Sequence, residues 1–315
     1  MGKSVYCNIP PRIFLVNKPK GLHSGDVVKH FKYHLPKGFG KIGHLGTLDP
    51  FAEGLLLIAV GQAARLSFLF QDYLAKTYEA SGIFHHSSST GDSDGEIIDH
   101  EPSVIPSFDL LSKYSKNMEG LYKQAPPHFS ASKYKGKPLY AYAREGILIN
   151  KEPVNRYIHE FCLINISEHN EGLHFRCKVS SGTYIRTLFE DYCALFNTRG
   201  YLDTLNRVCI GELNLERSLS RDDWPNRGCD FDVLGRSICP TEFFDFPSLK
   251  LEGKLLKRFE NGQRVAVKDV SIMSDYTHSD FVWLCNEIGV LRGLCKIDQE
   301  IVRPSVIFPQ INDNI

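Results

Sequence analysis

The chain has 315 residues and 35.7 kDa, 42% of them apolar and 23% charged, an ordinary globular balance that argues against intrinsic disorder and allows about two domains. Lys and Arg number 37 and Asp and Glu number 37, so neither a uniformly basic coat nor an acidic tail is present, although a zero average leaves room for a local basic groove. The longest apolar run, residues 55–60, falls far short of the roughly 18 residues that a membrane-spanning helix needs.

From the amino terminus, MGKSVYCNIPPRIF has no apolar stretch leading to a small-residue cleavage site, and Tyr6 stands where a myristoylation motif requires Ser or Thr. Ser24 reads as an N-cap, because Val27, Val28, Phe31 and Leu35 follow it at helical spacing. Gly43, Gly46 and Gly54 with Pro50 predict an irregular loop, which leads into a buried strand over 55–60. Residues 76–84 predict a strand with Tyr78, Ala80, Gly82 and Phe84 on one face. Leu173, Phe175, Cys177 and Val179 alternate with His174, Arg176 and Lys178, the pattern of a half-buried strand. After the turn at 180–183, Ile185, Leu188, Phe189, Tyr192, Leu195 and Phe196 follow helical spacing. Residues 215–250 are polar and punctuated by proline. A short helix over 255–259 then ends near Asn261-Gly262, and strands over 281–285 and 290–297 flank a turn at Gly289.

Strands and helices interleave without a βαβ rhythm. The expected fold is therefore α+β with a mixed, mainly antiparallel sheet over residues 1–240, followed by a small β-rich module over 241–315. Charge is uneven: residues 1–50 hold eight basic side chains against two acidic, and 113–156 hold nine against three. These segments are candidates for a polyanion-binding face, and equally for solvated lysine-rich surfaces. Nine cysteines, an odd count with no Cys-x-x-Cys, predict free thiols in a reducing cytoplasm and no structural metal.

Chemistry concentrates in the loop GHLGTLDPFAEG. Asp49 precedes a proline, which biases its backbone toward extended geometry, and an apolar strand follows, so its carboxylate would sit at the mouth of a packed sheet. On spacing alone, Asp-Pro is more often a simple turn than a catalytic carboxylate.

The stretch GHLGTLDPFAEGLLLIAVGQAARL resembles the signature loop of the TruB family of tRNA pseudouridine synthases. In the same chain order, KTYEASGIFHHSSSTGDSDGEI is similar to that family's K-x-Y strand and acidic loop. QAPPHFSASKYKGKPLYAYAREG is similar to its Q-x-P stretch, and SSGTYIRTLFED to its GTYIR turn. The resemblance covers most of residues 11–215. FENGQRVAV and GVLRGLCKIDQEIVRPSVIF are more weakly similar to the family's PUA-like RNA-binding module, here 241–315.

The resemblance implies a pseudouridine synthase fold and an isomerase acting on a flipped-out uridine of the tRNA T-arm, position 55. Breaking a C–N bond and making a C–C bond in place oxidises nothing, so neither cofactor nor metal is implied. Asp49 matches the catalytic aspartate, in the nucleophile's role that carboxylates take in glycoside chemistry. Arg186 matches its arginine partner and Tyr78 the aromatic that stacks on the base. His44 matches the residue inserted where the flipped base stood, Asp92 an aspartate near substrate, and Tyr184 and Leu205 pocket-lining positions. A metal-binding loop is the rival reading of Asp92, but its spacing is too short for an EF-hand.

Lys18, Lys20, Lys41, Arg65, Lys133, Lys135 and Arg144 are candidates for phosphate contacts, which position RNA without reading its sequence. Departures from the family pattern are Asn17, His23, Leu45, Thr47, Arg65, Ser89 and Gly91; none removes Asp49, Arg186 or Tyr78. The expected partner is tRNA, held by a cytoplasmic monomer with no obligatory protein partner and no membrane. A tRNA-binding folding factor with incidental catalysis is an alternative. So is a guide-RNA-dependent relative acting on ribosomal RNA, which the short C-terminal region and missing basic tail disfavour.

Overall fold

The computed structural model describes residues 10–167, 171–229, 231–272 and 279–308. Cys7, Gly2 and Tyr6 lie outside the described residues.

Period-two patterning builds the larger sheet. Its strands are β1 (Arg12–Lys18), β2 (Ile42–His44), β3 (Glu53–Val60), β4 (Lys76–Phe84), β5 (Gly120–Gln124), β6 (Val154–Ile166), β7 (Gly172–Val179), β8 (Gly200–Ile210) and β9 (Leu213–Asn214). They lie in the order β1-β3-β8-β4-β7-β6-β5, with β2 on β3 and β9 on β8. Every pairing is antiparallel except β3 with β8, where Glu53 faces Asn206 and Gly54 faces Arg207. The expected α+β class with a mainly antiparallel sheet is what the chain adopts. Around the sheet stand α1 (Ser24–His34), α2 (Ser67–Asp72), α3 (Phe108–Asn117), α4 (Leu139–Ala143) and α5 (Ile185–Ala194).

β3 is buried from Gly54 to Val60, which explains its unbroken apolar run: both of its faces are covered. Leu56, Ile58 and Val60 pack with Phe14 and Val16 of β1, Val27 and Phe31 of α1 and Phe189 of α5. Leu55, Leu57 and Ala59 point the other way and pack with Phe244, Phe281, Trp283 and Phe308. Short helices between Leu215 and Glu242 cover the outer edge of β1, where Ile13 and Ile238 exchange backbone hydrogen bonds of 2.9 Å. An otherwise open edge is thereby blocked.

The C-terminal region carries α6 (Gly253–Glu260) and a second sheet of β10 (Ser248–Lys250), β11 (Val265–Ala266), β12 (Ser271–Ile272), β13 (Val282–Cys285), β14 (Leu291–Asp298) and β15 (Ile301–Ile307). The strand order is β11-β15-β14-β13-β10-β12.

Ser24 differs from expectation. The N-cap of α1 is His23, and Ser24 is already helical. Its Oγ instead accepts from the Leu48 N–H and donates to the Leu48 carbonyl, both at 2.9 Å, tying α1 to the loop before β3. A distant backbone offered this hydroxyl two bonds, where capping offers one.

Candidate active site

The loop between β2 and β3 is held by its backbone, which leaves one acidic side chain to project. Gly54, at φ +103°, is where it closes on β8: a Cβ there would lie 2.2 Å from Asn206 Oδ1 and 2.5 Å from the Arg207 carbonyl. Only glycine allows both that conformation and that approach. Arg207, buried on β8, donates from Nε to the Leu55 carbonyl (2.8 Å), from Nη1 to Thr47 (3.2 Å) and from Nη2 to Gly46 (3.2 Å). Ser24 holds Leu48, and the Gly21 N–H donates to the Pro50 carbonyl at 2.7 Å. Between these anchors the Asp49 side chain stands 34% exposed.

Asp49 Oδ2 lies 2.8 Å from Nη2 of Arg186, whose own side chain is only 4% exposed. Arg186 sits in the first turn of α5 and meets four acceptors. Besides Asp49, Nη1 donates to the Thr90 carbonyl (2.6 Å) and lies 3.2 Å from Asp92 Oδ2, and Nη2 donates to the Phe129 carbonyl (3.0 Å). A planar guanidinium with its donors committed in this way is fixed in direction as well as in charge.

Burial pushes the Asp92 carboxyl above its ordinary range, opposed by the Thr90 hydroxyl at 2.6 Å, by Arg186 and by the Asp94 N–H at 3.1 Å. These partners occupy the carboxylate that the rival reading would have given to a metal. Among the described residues no group of three or more His, Cys, Asp or Glu is arranged to hold one.

Tyr78 faces Arg207 across the β4–β8 pairing. Burial raises its phenol, and Arg207 opposes the rise. Leu205 packs in the same core cluster as Tyr78 and Leu48. His44 ends β2 with Nδ1 buried and unbonded, and burial, with Arg207 nearby, lowers its pKa and keeps the imidazole neutral. Tyr184 is the N-cap of α5. Asp49, Arg186 and Asp92 thus form one charged network, with Tyr78 and His44 beside Arg207 and Leu205 in the core cluster of Tyr78.

The cations divide. Lys20, Lys41, Lys133, Lys135 and Arg144 are exposed. The last three belong to an arm formed by the Lys133–Tyr134/Lys137–Pro138 ribbon and α4, where Lys135 lies over the Tyr134 ring and Arg144 over that of Tyr140. Arg65 is exposed, but Nη1 donates to the Ile307 carbonyl of β15 at 3.1 Å.

Lys18 requires correction as a phosphate ligand. It is completely buried, and its ammonium donates to the carbonyls of Pro19 (3.0 Å), Leu22 (2.8 Å) and Pro50 (3.5 Å). Burial brings its pKa down to about 8. It is a strut that ties the turn between β1 and α1 to the Asp49 loop, because carbonyls of irregular backbone need donors.

Two contributors escaped the sequence reading. Arg207 lies in a strand whose alternation is broken, and Gln124 opens the QAPPHFS stretch without an assigned role. Gln124 Oε1 accepts from the Tyr184 N–H at 2.8 Å, and its Nε2 donates to the Tyr184 carbonyl at 2.9 Å. A cavity of about 380 Å³ adjoins Arg186, lined among others by Thr90, Phe129, Lys151 and Glu190.

Known proteins are similar to this chain over most of its length. The family model described as TruB family pseudouridylate synthase (N terminal domain) matches residues 32–185. The tRNA pseudouridine synthase B of Onion yellows phytoplasma is 34% identical over 269 residues, spanning 85% of this chain and 90% of that protein. The Nitrosomonas europaea protein of the same name is 35% identical over 304 residues, 92% and 93% of the two chains. Among solved structures, a chain of a Cbf5-Nop10-Gar1 complex superposes with a TM-score of 0.69 at 20% identity, covering 95% of this chain and 85% of that one, which shows a shared fold.

Proposed function

The chain belongs to the TruB family of pseudouridylate synthases, and on that premise we propose that it converts one uridine in the T-arm of tRNA, position 55, to pseudouridine with Asp49 as nucleophile. It is an isomerase of tRNA; the arm, the position and the residue roles are our reading. The observation that carries it is the 2.8 Å contact between a partly exposed Asp49 and a buried Arg186. The buried guanidinium fixes the direction of the carboxylate, which supports a nucleophile aimed from a fixed position.

Isomerisation conserves atoms. The C1′–N1 bond breaks, the base turns, C1′–C5 forms, C5 loses a proton and N1 gains one. Extruding the nucleotide costs a few kcal/mol. We assign His44 to fill the vacated stack, which a neutral, half-buried imidazole suits. We assign Tyr78 to stack on the base, its protonated phenol available as a donor, with Leu205 and Tyr184 lining the same space. Asp92 holds the second edge of Arg186. The exposed Lys20, Lys41, Lys133, Lys135 and Arg144 are assigned to phosphates.

We assign residues 1–240 to catalysis and 241–315 to a PUA-like module that grips the acceptor side of the tRNA. The packing of Phe281 and Trp283 against Leu55 and Leu57 supports a fixed distance between that module and Asp49. A cytoplasmic monomer acting without a protein partner completes the reading; no helix among the described residues is long and apolar enough to cross a membrane.

The test uses an unmodified tRNA transcript, with pseudouridine mapped by chemical labelling. Asp49→Asn should abolish modification at the single T-arm uridine while tRNA binding persists. Modification surviving that change, or mapping to another arm, would overturn the corresponding part of the reading.

A further inference from the structure

We propose that Gln124 is a positioning residue for the reaction, acting through the peptide of Tyr184 to aim the Arg186 guanidinium at Asp49. The proposal rests on the roles given to Asp49 and Arg186 above. Gln124 closes β5 and is buried at 2% exposure, where an amide must find partners. It finds them on the residue that starts α5. Its oxygen accepts from the Tyr184 N–H and its nitrogen donates to the Tyr184 carbonyl, so one side chain grips both polar groups of one residue. The Tyr184 carbonyl also accepts from the Leu188 N–H at 3.0 Å, the first bond of the helix. Gln124 therefore holds the point from which α5 is launched, two residues before Arg186.

The same edge of the sheet holds α5 twice more. Gln124 Nε2 lies 3.2 Å from the Tyr122 hydroxyl, which in turn donates to the Asp191 carboxylate on α5. Five residues beyond Gln124, the Phe129 carbonyl receives Nη2 of Arg186, the nitrogen that also meets Asp49. One segment thus sets the helix start and takes a hydrogen bond from the guanidinium itself. Without the amide, the Tyr184 N–H loses its acceptor and the helix start loses its rotational stop. Misplacing a catalytic group by about 1 Å can cost ~100-fold in rate.

Gln124→Ala and the isosteric Gln124→Glu test this in the full chain, with single-turnover pseudouridine formation on saturating tRNA and tRNA affinity measured separately. The expected result for Gln124→Ala is a rate lowered roughly 10- to 100-fold with affinity within about threefold of the parent. Gln124→Glu keeps the acceptor for the Tyr184 N–H but, when ionised, has no proton to give the Tyr184 carbonyl. Its rate relative to the parent should therefore be low near roughly pH 8 and recover as pH falls and the acid O–H forms. An unchanged rate in Gln124→Ala, a loss confined to affinity, or a pH-independent ratio for Gln124→Glu overturns the proposal. If Asp49→Asn keeps turnover while Gln124→Ala loses it, the reading of Asp49 falls and the role of Gln124 in setting α5 stands.

Discussion

Replacing Glu190 with Gln is expected to stabilise the folded protein above neutral pH and to change little in acid. Glu190 lies one turn beyond Arg186 on α5 and lines the adjoining cavity. Burial lifts its carboxyl from 4.5 to about 7; Asp191 and Asp92 add to the rise, and Arg186 and Arg199 oppose it. Because the folded value lies above the unfolded one, the unfolded chain gives up this proton first. The stability associated with the protonated form is complete below the unfolded value and is lost as pH rises through the folded one. At 1.36 kcal/mol for each pH step, a displacement of that size corresponds to ~3 kcal/mol of instability on the alkaline side. Gln keeps the volume and carries no charge to desolvate. Urea unfolding of both proteins at a series of pH values from roughly 5 to 8 reads the difference directly, provided the slope m is shared. The gap should open with rising pH and level off above the folded value. A gap independent of pH, or one that favours the parent increasingly in alkali, would refute the assignment of a buried, under-compensated carboxyl beside Arg186.

Gly54→Ala combines a φ of +103° with a Cβ placed against Asn206 and the Arg207 backbone. It should cost more than about 2 kcal/mol, seen as a lowered Tm, and reduce turnover, because the displaced strand carries the arginine that pins the Asp49 loop. An unchanged Tm would contradict the close approach of β3 and β8. Lys133→Ala and Lys135→Ala should each lower the slope of log affinity for tRNA against log salt by about one, with little effect on the saturating rate. A slope indifferent to both changes would remove the arm from the phosphate contacts.

Much of the fold is legible locally. The run over 55–60 reads as a buried strand because β3 is covered on both faces, and β7 and α5 read correctly because each buries one face at a regular period; β4 reads as a strand although it is buried on both faces. β8 does not, although it lies in the interior of the sheet between β3 and β4. Register shifts after Leu202 and after Arg207 break its alternation, so the arginine that organises the site is hidden in an aperiodic stretch. β6 is obscured in the same way by shifts near Ile158 and Leu163. Gln124 is equally invisible, since its partners lie on a helix far along the chain.

The sequence by itself determined the strands and helices of regular period, the Gly- and Pro-built loop carrying Asp49, and, through resemblance, the family and the residues proposed to react. Turn chemistry and periodicity are properties of neighbouring residues, so they survive in one dimension. Only the tertiary structure decided which charges are buried and with whom: Lys18 as an internal strut, Ser24 as a loop tie, Arg207 behind the loop, and Arg186 between Asp49 and Asp92. Desolvating a charge depends on what distant segments pack around it, and no local pattern encodes that.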